Sequence, residues 1–321
     1  MYGSVPSTLS KRHSIVMSKR NPRALSLDCV SPAMEAYVVD SVPPTAPREW
    51  KSGLVYVILS YAITWIIVLP LVLSTQGILD VDLPYAFHYL APFGPLVAAF
   101  IASYIERGSE GTRALLRGLT RVKIRPTFIA IAVLSPWILF LIAGLASVLL
   151  EGAFPDLETF GIIPYGISGL NLTLIGAWLV WLFTYGIGEE TGWRGFLLPH
   201  VQKKHGSLLS ALIVGVIWCF WHLPFFFYNP NFQAFGLFGS IMWAVGLLFG
   251  SILLTWLYNS CEGSILMVAI WHGTFNLFTG AYGQAVETTA GIISMLVMLL
   301  VVGIIAVFGP TNLSDIDRQT T

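Results

Sequence analysis

Residues 170–199 read LNLTLIGAWLVWLFTYGIGEETGWRGFLLP. From Leu170 to Gly188 there is no charge, and then Glu189, Glu190 and Arg194 follow almost at once. An apolar run of roughly 20 residues is long enough to cross a bilayer as a helix. Ionisable side chains are expensive at that depth, so those that occur face a cavity or one another. The same intrusion recurs twice downstream, as Trp218-x-x-x-His222 and as His272-x-x-x-Asn276, again within apolar surroundings.

Outward from that stretch the rest of the chain has the same character. With 55% hydrophobic residues, 11% charged residues and a mean hydropathy of +0.75, it is too apolar for a soluble domain. The fold class expected is all-α, a polytopic helical membrane protein with about eight transmembrane helices. The spans fall at about 53–75, 85–105, 126–149, 170–191, 207–228, 235–258, 263–282 and 289–308. Residues 1–50, rich in Ser, Pro, Lys and Arg and without an apolar run, are expected to form a disordered cytoplasmic tail. Residues 51–309 are expected to form the membrane domain, and 310–321 a short cytoplasmic C-terminal tail. Between spans two and three, Arg113, Arg117 and Arg121 recur every four residues with Leu115, Leu116 and Leu119 among them. That spacing predicts a basic amphipathic helix over 108–125, lying on anionic headgroups. Cys29, Cys219 and Cys261 lack metal-ligand spacing and read as isolated thiols.

Charge placement predicts orientation. Seven Lys and Arg residues lie between Met1 and Lys51, six between spans two and three, three from Arg194 to Lys204 and one at Arg318, which accounts for all 17. The alternate connections hold none, and carry Asp80, Asp82, Glu151, Asp156, Glu158 and Glu287 instead. Under the positive-inside rule both termini are cytoplasmic. The partners expected are the lipid bilayer and a membrane-embedded or lipidated protein or peptide; no nucleic acid is expected.

Helical spacing assigns partners among the motif residues. Glu190 and Arg194, four apart, share a face and pair as carboxylate and guanidinium. Glu189 points about 100° away and is left to face a cavity, as a general base must. His272 and Asn276, also four apart, present two hydrogen-bonding groups to one point. The indole of Trp218 is placed to wall His222 against solvent. On a straight helix His222 would stand well away from the glutamates, but Pro224 favours a break there. This set suits water activation and amide hydrolysis without a serine or cysteine nucleophile. The competing use is a metal: Glu189, His222 and His272 are a possible ligand set for a divalent ion such as Zn. No paired-ligand motif of the HExxH kind is present, and the hydrolytic reading requires no cofactor.

Glu189-Glu190-Thr191-Gly192-Trp193-Arg194-Gly195-Phe196-Leu197-Leu198-Pro199, then Trp221-His222-Leu223-Pro224, then Trp271-His272-Gly273-Thr274-Phe275-Asn276 resemble, in order, the three signature motifs of the CPBP family. These are the CAAX proteases and bacteriocin-processing enzymes, also called the Abi family. The resemblance covers the motifs and the core at 53–308, not the N-terminal tail. It implies an intramembrane endopeptidase of a prokaryotic plasma membrane. Glu189 would be the general base, supported by Glu190 and Arg194; His222 would assist the water, and His272 and Asn276 would form the oxyanion site. One departure is visible: the second motif usually begins with phenylalanine, and Trp218 stands there. Two other function classes share these residues. A proton-coupled transporter keeps carboxylates and histidines in the membrane but shows internal repeats, and no convincing repeat is present. A catalytically silent immunity or scaffold protein is the second, raised by family members linked to bacteriocin self-immunity; the intact residue set argues for activity.

Overall fold

The computed structural model describes residues 49–81, 83–161, 172–280 and 284–320. Nearly all of the expected N-terminal tail, with Cys29, lies outside the described residues. The protein is an all-α, polytopic membrane protein, and among the described residues no strand occurs. Among the described residues, six helices are long and apolar enough to cross a membrane. These are α1 (Glu49–Thr75), α2 (Phe93–Thr120), α3 (Pro126–Glu151), α5 (Ser207–Trp221, extended by the turn Leu223–Phe227), α6 (Gly236–Ser260) and α8 (Gln284–Asn312). The other two expected spans are helical but differ in kind. The first is α4, an unbroken helical run over 174–202, whose lower half carries the polar motif; the second is α7 (Ile265–Thr279), 15 residues long.

Two breaks follow from local chemistry. Gly108 has φ 58° and ψ −144°, which turns the chain inside α2 and separates its apolar half from a basic half that ends at Thr120. Arg113 and Arg117 are exposed there and Leu115 is buried, as an amphipathic helix requires. The helix stops short of the expected 125: Arg121 is extended, and Pro126 starts α3. The second break is at His222. Pro224 lacks an N–H for the ladder, α5 ends at Trp221, and a 3₁₀ turn takes over from Leu223. His222 is thus carried at the end of α5.

Tryptophan N–H groups tie the helices across an interior that offers them no water. Trp221 donates to Thr64 Oγ1 at 3.0 Å, joining α5 to α1; Trp178 donates to Thr274 at 2.9 Å, joining α4 to α7. Trp271 donates to Ser135 at 2.9 Å, joining α7 to α3. Helix α4 lies at the centre, packed against α7 on one side and α2 on the other. The closeness is set by small residues: a Cβ on Gly186 would stand 2.5 Å from the Ala269 carbonyl of α7. The last residues are packed as well. Gln202 and Asn259 bond one another, Asn259 also reaches the carbonyl of Asn312, and Gln202 that of Gln319. Arg125 grips Asp315 through both guanidinium nitrogens, and Leu313 is buried.

Candidate active site

Helix α4 changes pitch where the motif begins. It is α-helical over Leu174–Trp181, π-helical over Leu182–Glu189, α-helical for Glu190–Gly192, and π-helical again over Trp193–Leu197. A wider turn re-aims side chains, and π segments inside α-helices frequently mark functional sites. The adjacent carboxylates consequently meet different neighbours. Both are buried, Glu189 at 1% exposure and Glu190 at 0%.

Glu190 Oε1 accepts from Arg194 Nη1 at 2.9 Å, the pairing read from the four-residue spacing. The same oxygen lies 2.8 Å from His272 Nδ1 on α7, within ion-pair reach but off the line of a well-formed hydrogen bond. Arg194 is fully buried, and its Nε and Nη2 have no protein partner. Its guanidinium carbon lies 4.7 Å from the centre of a Trp218 ring, where the π face supplies part of the missing negative potential. His272 Nε2 faces the Asn276 amide nitrogen at 3.2 Å. An amide N–H needs a bare nitrogen there, so the His272 proton is on Nδ1, toward Glu190. Arg194, Glu190, His272 and Asn276 form one chain of polar contacts. His272 and Asn276 thus meet each other as well as a common point.

Glu189 stands apart from that chain. Its Oε2 accepts from the indole N–H of Trp218 at 2.6 Å, and its carboxylate borders a cavity of about 790 Å³. His222, His272 and Asn276 line the same cavity, whereas Glu190 and Arg194 stand behind its wall. Trp218 packs against both histidines, with ring centres 5.9 Å from His222 and 5.3 Å from His272. The wall role expected of it is joined by a direct bond to the carboxylate. His222 Nδ1 lies 2.8 Å from the Trp218 carbonyl. A carbonyl only accepts, so Nδ1 carries the proton and Nε2 is the free base.

The candidate metal set can be tested against this arrangement. Glu189 Oε2 is taken by an indole and His272 Nε2 by an amide, whereas His222 keeps Nε2 free. Among the described residues no three His, Cys, Asp or Glu side chains are grouped to hold a metal ion. As folded, Glu189, His222 and His272 do not fit a zinc site.

The remaining cavity wall is largely aromatic, with Trp181, Phe225, Phe232 and Trp243 among its residues. It also contains His88 and Tyr185, which the motifs did not indicate. A signal was present, since Tyr185 stands four residues before Glu189; the surrounding aromatic residues masked it.

Two comparisons bear on this geometry. The family model for type II CAAX prenyl endopeptidase Rce1-like proteins matches residues 170–278, a segment holding Glu189, Glu190, Arg194, His222, His272 and Asn276. The matched segment is thus similar to Rce1-like type II CAAX prenyl endopeptidases. A curated relative, CAAX prenyl protease 2 of Methanococcus maripaludis, is 29% identical over 94 residues. That alignment spans 28% of this chain and 34% of the relative's length. The matched segment runs from α4 through α7, and α1 to α3 pack around it.

Proposed function

We propose that this chain is an intramembrane endopeptidase that hydrolyses a peptide bond of a membrane-associated, lipid-modified protein, with Glu189 activating water. The observation that carries the reading is the division of labour between adjacent carboxylates. Glu190 is tied to Arg194 and His272, whereas Glu189 borders a cavity and accepts from the Trp218 indole N–H.

The chemistry follows from these donors and acceptors. Glu189 takes a proton from water held between its carboxylate and His222 Nε2, a bare acceptor. The hydroxide attacks the scissile carbonyl, and negative charge develops on its oxygen. One N–H of Asn276 goes to His272, and the second is available for that oxygen. His272, itself braced by Glu190, holds the amide in place. The proton on Glu189 then passes to the leaving amine as the C–N bond breaks. No step uses a metal.

A cavity of about 790 Å³ with aromatic walls suits an apolar chain or lipid-modified residue beside the peptide. A substrate of the CAAX-prenyl class is supported by the family match and by the name of the archaeal relative. The one-sided placement of Lys and Arg supports cytoplasmic termini, eight crossings including α4 and α7, and a plasma-membrane location in a prokaryote. Terminal-peptide mapping of membrane proteins from cells carrying the wild type or Glu189→Ala tests the function. New uncut C termini in the variant are expected; identical termini in both would contradict it.

A further inference from the structure

The cavity has a second hydrogen-bonding wall that the hydrolytic chemistry leaves unused. His88, in the turn Tyr85–Leu90, is 5% exposed, and both of its ring nitrogens are engaged. Nδ1 lies 2.6 Å from the Tyr228 hydroxyl and Nε2 lies 2.8 Å from the Tyr185 hydroxyl. The ring is packed among Tyr85, Tyr89 and Phe225 with no carboxylate bonded to it, so the imidazole is neutral. A neutral imidazole has one N–H and one bare nitrogen; one tyrosine therefore donates to it and the other accepts.

Burial decides which does which. Tyr228 is 3% exposed, and its hydroxyl has His88 as its hydrogen-bond partner. Were Tyr228 the acceptor, its own O–H would be a buried donor with nothing to meet, a costly state. Tyr228 therefore donates to Nδ1, the proton resides on Nε2, and Nε2 donates to the Tyr185 oxygen. The Tyr185 hydroxyl hydrogen is then left over. Tyr185 is only half-buried, lines the cavity, and stands four residues before Glu189 on α4. Its ring is stacked on Trp181 with centres 4.9 Å apart, which fixes its direction.

We propose that Tyr185 is a substrate-binding residue whose O–H donates to a carbonyl or carboxylate oxygen of the bound peptide, and that Tyr228 and His88 are positioning residues that aim it. The acceptor class follows from the hydrogen count, since the Tyr185 oxygen is already engaged and only its proton is on offer. That the ligand is a peptide rests on the endopeptidase reading.

The test uses the purified full chain in lipid nanodiscs, with a fluorescent farnesylated CAAX-type peptide read by anisotropy and by cleavage. Tyr185→Phe is expected to weaken Kd and raise KM by about 10-fold, the scale of one neutral hydrogen bond, with kcat within about twofold of wild type. Tyr228→Phe releases the His88 tautomer, and a smaller rise in KM, about 3-fold, is expected at unchanged kcat. A merely structural role would lower Tm and kcat together and spare KM, which would overturn the proposal. So would wild-type Kd and KM in Tyr185→Phe. Repeating the comparison with the peptide's C-terminal amide separates the acceptors. A persisting Tyr185 effect identifies a carbonyl oxygen, and its disappearance identifies the charged terminal carboxylate. If the wild type binds the peptide without cutting it, the endopeptidase reading fails, and the Kd comparison still decides the role of Tyr185.

Discussion

Glu189 and Glu190 are neighbours in the chain and meet opposite surroundings, because α4 turns one toward the cavity and the other toward Arg194. The Glu190–Arg194 pair was legible in the sequence, since four-residue spacing on a helix brings side chains together. The contact between Glu190 and His272 was not, because residues on α4 and α7 are joined only by packing. Trp218 was read as a wall; its N–H on Glu189 depends on how α5 faces α4, which spacing within α5 cannot reveal. That bond fixes the carboxylate of the proposed base. Trp218→Phe keeps an aromatic ring and removes the donor, so kcat is expected to fall about 10-fold with KM little changed. Steady-state kinetics on a cleaved peptide checks this, and an unaltered kcat would show that the indole N–H does not hold the base.

Apolar length made most helices legible, and proline made the break after Trp221 legible, but the π-helical turns of α4 left no mark in hydropathy. Along α4, glycines let neighbouring helices press close. A Cβ on Gly192 would stand 2.3 Å from the Tyr56 hydroxyl of α1 and 2.7 Å from the Pro95 carbonyl of α2. Backbone cannot retreat as a side-chain tip can, so Gly192→Ala is expected to destabilise the fold by about 1–3 kcal/mol, seen as a lowered Tm in detergent. The turn between α6 and α7 offers a chemical probe of packing. Cys261 is fully buried there, and burial pushes its thiol up to about 12. The folded state thus holds this proton more tightly than the unfolded chain, whose thiol titrates near about 8.5. Any stability from that difference is present below about pH 8.5 and is lost as pH rises toward 12. At pH 8 the thiolate is scarce, so maleimide should modify Cys261 far more slowly in the folded protein than after denaturation. Equal rates, read by mass spectrometry, would show that the turn is open.

Across the whole molecule, composition identified a polytopic helical protein, whereas the number of crossings depends on α4 and α7, whose polar content and short length depart from an ordinary span. The packed end of the chain, with Asp315 held near about 2 by Arg125, could not be read from residues that look like a polar tail. Nor could the cavity, which is closed by α4, α5, α6, α7, α8 and the turn Tyr85–Leu90 together. Because Glu189, His222 and His272 are not grouped to hold a metal ion among the described residues, enzyme treated with a strong chelator is expected to retain its activity. Loss of activity, restored by stoichiometric zinc, would instead show that these side chains regroup around a metal. The central claim is that Glu189 activates the attacking water, and the most direct measurement is cleavage of a farnesylated CAAX-type peptide by purified Glu189→Gln beside the wild type. The glutamine variant is expected to match the wild type in Tm and peptide binding and to show no cleavage above background; turnover at the wild-type rate would contradict the account.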